Sequence, residues 1–225
     1  MTPNPQRSAA DDLHRITSLG DAARLFFSRP GPKLIAAKAA IAWGLRAMAG
    51  PPRPVELAVC AGVAAWWPVQ EWLAHKHLLH LVPRTIRGRR IDPLFASRHR
   101  AHHRDPRNLK LTLLPVPVLL AAMPANVALW TNATRDPRVR LTGIAAYSTM
   151  ALIYEWTHFL VHTGYAPRSA FYARVRRNHR NHHYLNENYW LSFVWPDVDK
   201  WLGTEPAPGE VARSPTARKL HGLDD

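Results

Sequence analysis

Three long apolar runs stand out in a chain that is otherwise polar and basic: Val55–Leu73 ("VELAVCAGVAAWWPVQEWL"), Leu111–Trp130 ("LTLLPVPVLLAAMPANVALW") and Leu141–Val161 ("LTGIAAYSTMALIYEWTHFLV"). Each approaches the ~20 residues that cross a bilayer as a helix, beyond the ~10–14 common in buried core helices. A fourth, Leu34–Met48, is interrupted by Lys38 and Arg46, so it either spans or lies flat at an interface. Pro68, Pro115, Pro117 and Pro124 fall inside these runs. They would break soluble helices, but neighbouring helices in a bundle can satisfy the carbonyls they release. No strand-like alternation, hairpin turn pair or solenoid repeat stands out. The pattern predicts an all-α integral membrane bundle of about four apolar helices, with Trp43, Trp66, Trp67, Trp72 and Trp130 as interfacial or core aromatics.

The flanks read differently. Residues 1–30 are polar and lack the apolar stretch of a secretory signal, and residues 204–225 carry few large apolar side chains. Both are expected to be flexible around one domain over 31–203. A soluble helical protein is the alternative that the mean hydropathy of −0.26 keeps open.

The formal charge of +14 suggests phosphate binding until its distribution is considered. Nine Lys/Arg fall within Arg84–Lys110 and five Arg within Arg168–Arg180, each segment adjoining an apolar run. That is the bias of cytoplasmic loops, and no nucleic-acid motif accompanies it, so no nucleic-acid partner is expected.

The same basic segments carry the chemistry. Ten of the 13 histidines form four clusters: His75 and His80 in "HKHLLH", His99, His102 and His103 in "HRAHH", His158 and His162 in "HFLVH", and His179, His182 and His183 in "HRNHH". On a helix, positions i, i+3 and i+4 share one side, so the triplets and the 158/162 pair can converge on a metal. His75 and His80 are about 140° apart on an ideal helix. Either both turn inward at a helix end or unwound turn, or His77 and His80 form the facing pair. One such pair in a basic segment would read as ordinary packed or solvated histidines. Four clusters with ligand spacing read as a site, because this many buried imidazoles would otherwise all need hydrogen-bond partners.

Cys60 is the only cysteine, so the ligands are nitrogen and oxygen. Ten imidazoles exceed the needs of one ion and point to two metals. The order of pairs and triplets suggests two halves, each apolar hairpin contributing one pair and one triplet.

The ordered set His-x4-His, His-x2-His-His, His-x3-His, His-x2-His-His resembles the fatty acid hydroxylase/sterol desaturase superfamily of membrane di-iron enzymes. The flanking "EWLAHKHLLH", "HRAHHRDPRNLKLTLLPVPV", "HRNHHYLNENYW" and "DKWLGT" are also similar, and the resemblance covers about Pro68–Thr204. It implies that His75 rather than His77 is the ligand, with His80, His99, His102, His103, His158, His162, His179, His182 and His183 completing the set. His77 becomes a neighbour of the ligands.

The resemblance further implies two iron ions, with zinc able to take the site in isolated protein, O2 as co-substrate and the site at the cytoplasmic face. The activity implied is hydroxylation of a lipid, foremost a fatty acyl chain, with a sterol or carotenoid hydroxylase or desaturase as the alternative. The residues before the first span are too few for a fused cytochrome b5, so a separate donor such as cytochrome b5, ferredoxin or a reductase is expected. A non-redox histidine-rich metal transporter is the other class; the sparsely polar spans tell against a metal path. Glu71 and Glu155, four and three residues before His75 and His158, are placed to hydrogen-bond ligand imidazoles. Pairing with a basic neighbour would explain them equally well.

Overall fold

The computed structural model describes residues 12–223. A 3-10 turn at Leu13–Arg15 leads to α1 (Leu19–Ser28), whose first turn is capped by Ser18, and then to α2 (Pro30–Met48) and α3 (Pro54–Ala74). A two-stranded hairpin follows, β1 (Arg84–Ile86) with β2 (Arg89–Ile91), then α4 (Leu94–Arg104), α5 (Leu109–Thr112) and α6 (Val116–Ala133). The chain ends with α7 (Pro137–Val161), α8 (Ala170–Tyr184) and the short α9 (Asp197–Trp201). Prolines open α2, α3, α6 and α7, where the missing N–H costs nothing and the fixed φ suits the first turn. The runs Leu34–Met48, Val55–Leu73 and Leu141–Val161 each lie within one helix, and Leu111–Trp130 is helical on either side of a break at Leu113–Pro115.

α7 is the hub, with α2, α3 and α6 packed on it. Gly143 leaves room for a side chain of α6: a Cβ there would lie 2.2 Å from the Trp130 ring, which packs with Ala42, Ile144 and Ala145. At the end of the bundle where α2 stops and α3 and α7 begin, buried Glu56 ties the three helices together. It pairs with Arg46 and with Arg53 (2.8 Å), and accepts from Thr142 Oγ1 (3.2 Å), while Arg53 also reaches Asp136 (2.7 Å). At the other end Phe26 of α1 meets Trp156 and Phe159 edge-on or tilted, with centroids 5.2 and 5.4 Å apart. The histidine clusters sit at this second end.

Four features differ from expectation. By length and composition, one helical stretch among the described residues, Leu109–Ala133, is apolar enough to cross a membrane, rather than four. Charged and polar residues dilute the other runs: Lys38 and Arg46 in α2, Glu56, Gln70 and Glu71 in α3, and Ser148, Thr149, Glu155 and His158 in α7. The hairpin was not foreseen because both strands are exposed and so show no alternation; its signal was Arg87–Gly88, both at positive φ (51° and 74°).

The flanks are also more engaged than their composition implies. Within the 1–30 segment, the Ala22 and Phe26 side chains are buried; residues 1–11 lie outside the described residues. In the 204–225 tail, Ala217 and Leu220 are buried, and Arg218 donates to the carbonyls of His103 (2.8 Å) and Arg104. Backbone polar contacts, invisible in composition, attach it.

Gly143→Ala forces a methyl group into the Trp130 ring. We expect a loss of about 1–3 kcal/mol, read as a lower unfolding temperature in detergent with a shift in tryptophan emission.

Candidate metal centre

Four elements deliver the ten histidines. α4 carries His99, His102 and His103, α8 carries His179, His182 and His183, and α7 ends with His158 and its capping residue His162. The first pair depends on a local irregularity. After α3 the backbone widens into a single π-helical turn over His75–Leu79, which brings His75 and His80 together with ring centroids 5.0 Å apart. The 140° separation of a regular helix is thereby removed. His77 is exposed on the outside of this turn, edge-on to Trp72 at 6.0 Å, and belongs to neither histidine group.

The imidazoles fall into two groups of five: His75, His80, His99, His103 and His182, and His102, His158, His162, His179 and His183. In each group the nitrogens offered lie within 4.8 Å of one another, near the ~4 Å between opposite donors each ~2.1 Å from one ion. The division is not one hairpin per group. Each triplet splits, because i and i+4 lie about 40° apart around a helix whereas i+3 lies on the other side of i. His99 and His103 join one group and His102 the other; His179 and His183 join one and His182 the other.

Hydrogen bonds set the tautomers. His75 Nδ1–H donates to Leu191 O (2.6 Å), His103 Nδ1–H to Ala217 O (2.8 Å) and His182 Nδ1–H to Tyr189 O (2.9 Å). A carbonyl can only accept, so Nε2 of each ring carries a lone pair. Those lone pairs converge: His75 Nε2 is 3.1 Å from His99 Nε2, His103 Nε2 is 3.2 Å from it, and His182 Nε2 is 3.1 Å from that of His103. In the other group the Nε2 contacts run from 2.8 Å (His179–His162) to 3.3 Å (His162–His158). His80 Nε2 is buried without a hydrogen-bond partner. Neutral imidazoles aiming lone pairs at a common point repel unless a cation lies between them, so this donor set fits a bound transition metal in each group.

Burial keeps the rings neutral. Desolvation pushes His75 down to about 4 and His103 to about 3, and it holds His80, His99, His102, His162, His179, His182 and His183 well below the usual histidine value, neighbouring imidazoles adding to the effect.

Two of the three tautomer-setting carbonyls, those of Tyr189 and Leu191, belong to a loop that is itself strained. Trp190 is fully buried at positive φ (55°), an uncommon backbone state for a bulky residue, and its neighbours present the carbonyls of Tyr189 and Leu191 to His182 and His75. Asp199 holds the loop by accepting from Leu191 N (2.9 Å), Ser192 N (2.7 Å) and Thr204 Oγ1 (2.7 Å). Glu71 holds its next residues, accepting from Phe193 N (2.6 Å) and Val194 N (3.1 Å). Glu71 therefore acts on this backbone rather than on a ligand imidazole: one turn before His75, its carboxylate meets the loop amides. Phe193 in turn stacks on His158 with centroids 5.2 Å apart. Glu155 likewise accepts from a backbone amide, Leu114 N (3.2 Å), not from a histidine. Asp199 was missed at the sequence level; only its place in "DKWLGT" pointed to it.

A narrow cleft, about 30 Å³, reaches His99 of one group and His102 and His158 of the other. Its walls include Leu79, Phe95, Leu111 and Pro115, with Tyr154 and Glu155 deeper on α7.

The fatty acid hydroxylase family model matches residues 60–204. The chain belongs to the fatty acid hydroxylase family. Membership makes it an oxidoreductase of a family that uses iron. Among solved structures it is similar to one titled "Full length scs7p (only hydroxylase domain visible)", at TM-score 0.62 and 17% identity, covering 88% of this chain and 70% of that one. At that identity the likeness is one of fold. No curated protein matches the chain.

Two outcomes follow for this fatty acid hydroxylase. Asp199→Ala leaves buried amides unpaired at about 1–3 kcal/mol each, and loosening the carbonyls of residues 189 and 191 is expected to weaken metal retention about 10–100-fold; competition with a chelator measures it. The folded histidines have lowered pKa values, so the unfolded chain binds more protons and stability falls as pH drops below the ordinary histidine range. The unfolding temperature of chelator-stripped protein should hold near pH 8 and fall from about pH 7 to about pH 5.

Proposed function

We propose that this chain is a membrane-bound di-iron oxygenase that hydroxylates a lipid, foremost a fatty acyl chain, using O2 and electrons from a separate donor protein. The observation that carries the reading is the apolar cleft that ends on histidines of both five-imidazole groups. Two iron ions held by the ten histidines would supply the O2 activation that breaks an unactivated C–H bond, which no side chain provides. The chain's own part is to bind and orient. Leu79, Phe95, Leu111 and Pro115 pack the lipid and exclude water, and Tyr154 and Glu155 line the inner wall. Burial keeps the imidazoles unprotonated, and the carbonyls of Tyr189, Leu191 and Ala217 keep three Nε2 atoms aimed inward.

The catalytic unit spans 31–203, with residues 204–223 laid against it. α2, α3, α6 and α7 form the membrane-embedded part. An apolar belt supports this: Ile41, Leu45, Leu57, Trp66, Leu120 and Leu129 are all at least half exposed on α2, α3 and α6. The arginines of Arg84–Lys110 and Arg168–Arg180 support a metal end at the cytoplasmic face, where an acidic electron donor would meet complementary charge.

Anaerobic purification in detergent, metal counting and Mössbauer spectroscopy test the reading. About two coupled irons per chain and an O2-dependent product from acyl lipid, with a reductase system, are expected. His183→Ala should lose iron. One zinc with no iron, or no oxygen-dependent product from acyl, sterol or carotenoid lipids, would sink the proposal.

A further inference from the structure

Midway along the bundle, away from the histidines, the chain places a cation among apolar helices. Lys38 of α2 donates to Asn126 Oδ1 (2.5 Å) and Met123 O (3.3 Å) on α6. Among the described residues it has no carboxylate partner. On α6, most of which is left uncovered, only Leu119 and Asn126 are buried. Asn126 is 6% exposed, and its Nδ2, which carries two hydrogens, is buried without a partner.

These groups border a small cleft, about 60 Å³, whose other walls include Ile35, Leu119, Met123 and Ala151. Ser148 also lines it, but its hydroxyl donates to Ile144 O, leaving only acceptor lone pairs. The free hydrogens are therefore those of the Lys38 ammonium and the Asn126 amide. An uncompensated cation inside an apolar bundle is costly and marks a functional position. Charge-assisted hydrogen bonds to a carboxylate would satisfy both donors and the charge.

The metal cleft is separate from this one and lies farther along the same face of α7. Tyr147 and Ala151 line the small cleft, and Tyr154 and His158 line the metal cleft; the spacing of four, three and four residues is a single helical stripe. Trp67 sits edge-on to Tyr147 at 4.9 Å and tilted to Tyr154 at 6.3 Å, bridging both positions.

We propose that Lys38 and Asn126 form an anchoring site for the carboxylate of a free fatty acid, whose chain lies along α7 toward the metal cleft. Ser148 and Glu155 are seven residues apart, about 10 Å along the helix, so the cleft would receive a carbon inside the chain rather than the one beside the carboxylate. The direction of the chain rests on the oxygenase reading; the anchoring does not.

Binding tests it without turnover. The protein in phosphatidylcholine nanodiscs is titrated with cis-parinaric acid and with its methyl ester, following fluorescence. The wild type should bind the acid about tenfold tighter than the ester. Lys38→Gln and Asn126→Leu should each remove most of that preference while iron content and ester binding stay unchanged. Equal binding of acid and ester by the wild type, which needs no variant to fold, overturns the proposal, as does a preference that survives Lys38→Gln. A preference that follows Lys38 in a protein holding no iron and oxidising no lipid leaves the anchor standing and removes the oxygenase. Iron and oxidation without the preference do the reverse.

Discussion

The structure depends on one electrostatic constraint: several neutral imidazoles must point their lone pairs at one another inside a water-poor site. Left to themselves such rings would rotate, or gain protons and repel. Here rotation is opposed by the Nδ1–H bonds of His75, His103 and His182 to backbone carbonyls, and protonation is opposed by burial. Much of the chain's odd geometry serves this constraint. The strained turn at Trp190, buried Asp199, Glu71 and the packed tail all fix carbonyls or loop amides around the rings.

Much of this was legible in the sequence because metal ligation demands residue types at set intervals. The two triplets and the 158/162 pair could be read from helical periodicity alone. The 75/80 pair could not, since its five-residue spacing needs a departure from the regular helix, here a π-helical turn, and nothing in "HKHLLH" declares one. The surroundings were harder still. Glu71 was recognised as significant from its distance to His75, but its partners are amides more than a hundred residues away. The carbonyls of Tyr189, Leu191 and Ala217 belong to the backbone, which every residue carries, so no composition could single them out.

The bundle shows the converse. Its apolar runs were read correctly as helices, yet their charged residues, read as interruptions, organise it. Glu56 gathers Arg46 and Arg53 where three helices meet, and Lys38 reaches across to Asn126. Such contacts are specific where apolar packing is not: a helix that slid by one turn would separate each donor from its acceptor, whereas leucine against leucine would tolerate the slip.

The splitting of each triplet has a mechanical meaning. α4 sends two rings to one group and one to the other, and α8 does the same in the opposite sense. No rigid displacement of either helix can therefore enlarge one nest of imidazoles without disturbing its twin. The pair behaves as a single interlocked object, two clasps cut from the same two bars, and the distance between its centres is set by the pitch of the helices rather than by any loop.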